Sequence, residues 1–203
     1  MICIKEILSK IHNQGEIHID PRSKAELIHP IPEINIGYLH ELFPGLSEEE
    51  IALIKQSYNG ELPEEFLDFL RLTNGANLFG RSLRICGMPY DPIKFQDCKL
   101  PTPIYFATSH RTCIAPKEYL FFGSYKKFGE EECPCICFDL SDPKEGRPIY
   151  CIPRHSNTIL KSWDSFEEWF CEEYFRFLNL YVSGRFEIKE IVKGIIKDIY
   201  FES

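Results

Sequence analysis

The hydrophobic period of this chain changes twice, and that change constrains its fold more than any other feature. From residue 47 apolar side chains recur at helical spacing, and from residue 83 they fall into short β-prone runs. From residue 165 the helical spacing returns. Helices, then strands, then helices predict an α+β domain, because a parallel α/β fold would alternate the two. The β-prone runs are residues 83–86, 104–107, 119–123, 136–140 and 149–152, separated by Pro, Gly and Asp. Asp142-Pro143-Lys144-Glu145-Gly146 is a strong turn sequence, so the last two runs are expected to pair as antiparallel neighbours.

The helix boundaries carry their own signals. Ser47-Glu48-Glu49-Glu50 is a capping box: the hydroxyl accepts from the third amide, and Glu50 reaches back. Ile51, Ile54 and Tyr58 share one face of that helix, and Asn59-Gly60 closes it. In Leu62-Pro63-Glu64-Glu65-Phe66-Leu67-Asp68-Phe69-Leu70, Pro63 suits a first helical turn and the two glutamates suit the positive end of the dipole. Phe66, Phe69 and Leu70 form its buried face, and Asn74-Gly75 reads as a left-handed stop. Ser165-Phe166-Glu167-Glu168 is a second capping box. After it Phe166, Trp169, Phe170, Phe177, Leu178 and Tyr181 share an apolar face, up to the break at Ser183-Gly184.

Ile4, Ile7, Leu8 and Ile11 predict a short amphipathic helix at the start. Residues 13–45, with Pro21, Pro30, Pro32 and Pro44, read as a loop or arm carrying one short strand or helix. Ile188, Ile191, Val192, Ile195, Ile196 and Ile199 predict a last helix. The expected organisation is an N-terminal helix and Pro-containing arm over 1–46, a core domain over 47–182, and an amphipathic C-terminal helix over 183–203 packed on the same domain.

The formal net charge is -8, and Lys and Arg cluster nowhere beyond pairs such as Lys126-Lys127. A phosphate backbone needs a basic surface, so direct binding of nucleic acid is not expected, whereas a basic protein partner suits the charge. Met1-Ile2-Cys3-Ile4 runs at once into Lys5-Glu6, which argues against a signal peptide. No uncharged apolar run approaches the roughly 18 residues that span a bilayer. A cytoplasmic location, away from the membrane and with all nine cysteines reduced, is the expectation.

Candidate chemistry is sparse. Cys133-Pro134-Cys135-Ile136-Cys137 resembles a metal motif, yet zinc ligands are commonly spaced Cys-x-x-Cys. On a strand, alternate residues share a face and their sulfurs stand roughly 7 Å apart, too far for one ion. Neither a metal nor another cofactor is expected, and these thiols read as small hydrophobes. His110, Cys113 and His155 supply the elements of a Cys/His nucleophile pair without any local nucleophile signature. A zinc or thiol enzyme is therefore the competing class, and a non-enzyme is the expectation. Most paired carboxylates sit at helix starts, where the dipole explains them. Glu130, Glu131 and Glu132 do not, and Asp139, Asp142 and Glu145 lie near the neighbouring strand ends and turn. These six residues are the candidate partner-binding patch; a solvated, solubilising turn is the alternative.

The Leu62–Leu70 segment with its Asn74-Gly75 close resembles the signature helix of the SUKH superfamily, which includes regulators of Smi and Knr type. Cys135-Ile136-Cys137-Phe138-Asp139-Leu140 with Pro148-Ile149-Tyr150-Cys151, and Trp163-Asp164-Ser165-Phe166-Glu167-Glu168-Trp169-Phe170, follow in matching order across residues 47–180. The resemblance implies a central, mostly antiparallel, bent sheet flanked by helices. It implies no catalytic residues. It also implies a protein partner: for immunity-type members a cognate polymorphic toxin, a nuclease or deaminase, and for Smi/Knr-type regulators or scaffolds a host protein.

Overall fold

The structure, a computed structural model, describes residues 2–30, 38–58, 62–88, 100–106, 115–129, 131–142 and 147–183. Helix α1 (Ile2–His12) opens the chain and three short strands follow: β1 (Glu16–Ile19), β2 (Glu26–His29) and β3 (His40–Pro44). Helices α2 (Glu48–Ser57) and α3 (Glu64–Leu72) come next, then β4 (Thr73–Leu78), β5 (Leu83–Ile85), β6 (Tyr105–Phe106) and β7 (Tyr119–Tyr125). The last elements are β8 (Lys127–Phe128), β9 (Glu131–Glu132), β10 (Cys135–Asp139), β11 (Ile149–Ile152), β12 (Lys161–Trp163) and α4 (Phe166–Val182).

The main sheet runs β1-β2-β3-β4-β5-β7-β10-β11-β12, with β6 beside the first half of β7 and β5 beside its second half. Every ladder between these strands is antiparallel. The fold is thus α+β, as expected, and β10 pairs with β11 in the antiparallel register that the turn sequence implied.

Strand alternation sorts the core. Leu120 and Phe122 of β7 and Ile136 and Phe138 of β10 point to the helices; Tyr119, Phe121, Cys135 and Cys137 point the other way and form a smaller cluster with Ile152. On the helical side Phe66 and Phe69 of α3 meet Phe166, Trp169 and Phe170 of α4 over Phe122 and Phe138, all fully buried. Their rings contact at centroid distances of 4.2–6.4 Å, in the range where tilted and stacked pairs attract. The apolar faces read from the helical periodicity are the buried ones.

Four features depart from the sequence reading. Residues 13–45 were expected as a loop or arm carrying one short strand or helix; instead three strands, β1, β2 and β3, extend the sheet. Pro21 sits in the tight β1–β2 turn and Pro44 ends β3, so neither interrupts a ladder. Asn74-Gly75 is not a helix stop: α3 passes directly into β4. Thr73 is extended there, and its hydroxyl donates to the Phe43 and Gly75 carbonyls. The Asn74 side chain accepts from Met88 N at 2.6 Å and donates to Met88 O at 3.0 Å, taking the place of a strand neighbour. Gly75 does have positive φ, and a Cβ there would stand 2.7 Å from the Ile85 carbonyl oxygen. The second capping box is displaced: Ser165 accepts from Glu168 N, but Glu168 reaches Asp164 N. Lastly, Cys3 and Cys171 form a disulfide between α1 and α4, against the expectation of reduced thiols throughout. The expected C-terminal helix, like the Asn59-Gly60 stop, lies outside the described residues.

The helix starts are tied to one another. Ser47 and Glu50 complete the first capping box of α2. Pro63 takes the N-cap of α3 and offers no side-chain hydrogen bond. Glu65 of α3 accepts from the Phe166 and Glu167 amides at 3.1 and 3.2 Å, so its carboxylate caps α4. Glu167 in turn accepts from Cys3 N at 3.1 Å, at the start of α1. Glu65→Ala is expected to cost about 1–2 kcal/mol in urea unfolding, since it strips two amides of a charged acceptor. Glu64→Ala removes only exposed ion pairs to Lys55 and Arg71 and is expected to cost under about 1 kcal/mol. Equal losses for the two variants would show that Glu65 does not act as a cap.

Candidate functional site

The acidic candidates fall in two places. Lys127–Phe128 and Glu131–Glu132 form a separate two-stranded hairpin with Lys127 opposite Glu132 and Phe128 opposite Glu131. Gly129 takes positive φ at its turn, a conformation that glycine adopts without strain. The hairpin springs from the upper end of β7 and returns into β10; Cys133 N donates to Lys126 O at its neck, and Tyr125 N donates to Pro134 O. Asp139 lies at the opposite end of β10, roughly 15 Å away over the five residues of that strand. There Asp139 accepts from Ser141 N at 2.9 Å and from the Ser141 hydroxyl at 2.6 Å. Asp142, close by, offers its carbonyl to Arg147. Strand β10 lies between β7 and β11, with Glu131 and Glu132 before its start and Asp139 and Asp142 at its far end. Glu130 and Glu145 lie outside the described residues.

The thiols divide in the same way. Cys135 and Cys137 share a buried face of β10, whereas Cys133 stands before the strand, exposed and at positive φ. The three do not stack on one strand face. Among the described residues no group of three His, Cys, Asp or Glu side chains is placed to hold a metal ion. His155 is exposed, and His110 and Cys113 lie outside the described residues.

Among the described residues one carboxylate, that of Glu173, is completely buried. Glu173 of α4 accepts from Arg176 Nε at 2.8 Å and Nη2 at 2.5 Å, with Lys161 Nζ at 3.8 Å. Two cations from its own helix and from β12 neutralise it, and Arg176 also lies over the Phe177 ring at 4.2 Å. This is a structural ion pair that seats α4 on the sheet.

The surface that sequence reasoning missed is basic. On the face of the sheet away from the helices, a cleft of about 490 Å³ opens over β5, β7 and β10. Gly123, Ser124 and Cys135 are among the small residues that line it, and Arg81, Arg84, Lys126 and Arg154 stand around it. Arg81 is bound to the buried Glu41 carboxylate at 3.1 Å, which Asn77 also contacts at 2.6 Å. The one local signal was on β5, where Arg84 alternates with the buried Leu83 and Ile85 and so points away from the core. Lys126 and Arg154 carry no signal, because only the fold brings them beside Arg84.

The family model described as SMI1 / KNR4 family (SUKH-1) matches residues 45–172. No curated protein matches the chain. The match spans α2 to the first half of α4 and contains the α3–β4 junction, the β10–β11 hairpin and the aromatic cluster of α4. Domains of this family bind partner proteins, and at family level their role is that of non-catalytic, immunity-type proteins. With more than half of its length matched, the chain belongs to the SMI1/KNR4 family (SUKH-1).

Proposed function

We propose that the protein is a non-catalytic binding domain that acts as an immunity protein: it captures a polymorphic toxin of nuclease or deaminase type in the cytoplasm and blocks its substrate cleft. Family membership over residues 45–172 is the observation that carries this reading. The residues that match the family are explained by folding: Pro63 starts α3 at its N-cap position, Glu65 caps α4, and Phe166 and Trp169 fill the core. Charge supports the choice of target. Toxins that act on nucleic acid present basic clefts, and a chain of net charge -8 is drawn to them over a distance set by the ionic strength.

The hairpin carrying Glu131 and Glu132, with Glu130 next to them in sequence, is the first candidate for the contact; Asp139 and Asp142 at the other end of β10, with Glu145 close by in sequence, are the second. A toxin encoded beside this gene supplies the test. Co-purified with the wild-type protein it should form a stoichiometric, inactive complex. Glu130→Lys/Glu131→Lys/Glu132→Lys should slow association about tenfold or more at low salt, with the gap closing as salt rises. A fully active toxin in the presence of excess protein sinks the proposed function. An unchanged on-rate and salt dependence moves the contact away from the hairpin.

A further inference from the structure

We infer that the basic cleft is a binding site for a small anion carrying two or more phosphoryl groups. Three observations converge. The cleft holds three cations, Arg84, Lys126 and Arg154, that have no carboxylate partner among the described residues, although the chain has eight more acidic than basic side chains. Charged side chains on a surface with surplus acid ordinarily find counter-charges. Three with none among the described residues, gathered round one concavity, repel each other until an anion of at least two charges sits between them.

The size and lining select the anion. A volume of about 490 Å³ suits a ligand of small-molecule size. Two guanidinium forks and an ammonium match phosphoryl oxygens, and the Thr102 and Ser124 hydroxyls on the same wall add neutral donors. A protein segment would want an apolar anchor site, as interface centres do. The lining exposes no large apolar side chain: Gly80, Gly123, Ser124 and Thr102 are small or polar, Cys86 and Cys135 are small and buried, and Tyr125, at 2% exposure, turns its ring into the core against Trp169. Without an aromatic platform the site recognises the phosphoryl groups and leaves the rest of the ligand unread.

The backbone keeps the floor low. A Cβ on Gly123 would stand 2.7 Å from the Arg84 carbonyl oxygen, so glycine is required where β7 passes β5. Arg81 and Cys133 at the rim are both held at positive φ, a strained state for residues with a side chain.

This inference does not rest on the proposed toxin partner, and its test needs none. Inorganic tripolyphosphate and a nucleoside triphosphate are titrated into the full-length protein by calorimetry, with citrate and an eight-residue glutamate peptide as competitors for the same cations. Both phosphorylated probes should bind one per chain. A nucleotide that binds no tighter than tripolyphosphate identifies the phosphoryl groups as the recognised part; a nucleotide that binds much tighter shows that the base is read as well and overturns that point. Arg84→Gln and Arg154→Gln should each weaken tripolyphosphate about tenfold or more, the loss expected for a charge-assisted hydrogen bond. Exposed Cys133 on the rim gives a second readout: bound tripolyphosphate should slow its alkylation in wild type and not in Arg154→Gln. Should the mutants melt differently from wild type, the wild-type protection of Cys133 alone decides. Absence of phosphate binding, tighter binding of the glutamate peptide, or binding that the two variants leave unchanged overturns the assignment.

Discussion

Trp169→Ala is expected to destabilise the protein by about 3–5 kcal/mol, among the largest losses of any single core substitution. The indole is fully buried on α4, with the rings of Phe122, Phe166 and Phe170 at 5.0, 5.3 and 6.2 Å. Its Nε1 donates to the Tyr125 hydroxyl at 2.9 Å, deep in the core, where burial already pushes the phenol well above its ordinary pKa. Alanine leaves a void the size of two rings between α4 and the sheet. Neighbours held by α3 on one side and β7 on the other have little freedom to fill it. For a domain of this length the loss corresponds to a fall in Tm of roughly 6–20 °C. Trp169→Phe keeps most of the apolar area and removes the donor, so it should cost less than alanine and more than a surface change. Leu53→Ala, at a side chain that is 53% exposed on α2, should stay within about 0.5 kcal/mol. A Trp169→Ala protein that melts within 2 °C of wild type would show that α4 does not seat this face on the sheet.

The helices were legible because their signals are local. The period that places Phe66, Phe69, Trp169 and Phe170 on buried faces is set within each segment, and the Ser47–Glu50 box closes within four residues. Strand β11 was legible for the same reason: a compact β-prone run after a strong turn sequence. What failed depends on partners remote in sequence. Asn74-Gly75 reads as a helix stop in isolation, yet Asn74 meets Met88 and Thr73 meets Phe43, and those bonds make the segment a strand. Strands β1 to β3 are four or five residues long, β1 is exposed throughout, and prolines stand at their borders; pairing, not propensity, makes them strands. The same holds for function. The acidic residues attracted notice because they are adjacent in sequence, whereas Arg84, Lys126 and Arg154 are dispersed over seventy positions and meet only on the folded sheet. A linear reading ranks clusters by proximity along the chain, and a cleft assembled from three strands is invisible to it.

The stability of the protein should fall steeply between pH 6.5 and pH 4.5, and His40 should account for most of the fall. His40 opens β3 and is fully buried. Its Nε2 lies 2.6 Å from Gln14 Oε1, an acceptor, so the ring is the neutral tautomer with its proton on Nε2. Gln14 then donates to the Tyr174 hydroxyl at 2.5 Å, which ties the N-terminal strands to α4. On the other side the ring meets Phe79 edge-on at 4.9 Å, and Nδ1 has no hydrogen-bond partner among the described residues. A second proton on Nδ1 would create a buried donor and a buried charge with nothing to receive either. Burial accordingly holds the pKa down at about 3, against an ordinary 6.5. Because the folded pKa is the lower one, the unfolded chain takes up a proton first as the pH falls. Stability from this group is complete above pH 6.5 and drains away towards pH 3 at up to about 1.4 kcal/mol per pH unit. Between pH 6.5 and 4.5 the loss is about 2–3 kcal/mol, and by pH 3 it reaches about 4–5 kcal/mol. The upper window is diagnostic because the carboxylates held low by their partners, Asp20, Glu48, Glu64 and Glu172, begin to contribute only below about pH 4.5. His40→Gln keeps a donor towards Gln14 and has no proton to gain, so its urea midpoint should stay nearly flat from pH 6.5 to 4.5 while that of wild type drops. Parallel slopes in the two proteins would place the acid sensitivity elsewhere and would mean that the His40 ring is accessible to protons in the native state.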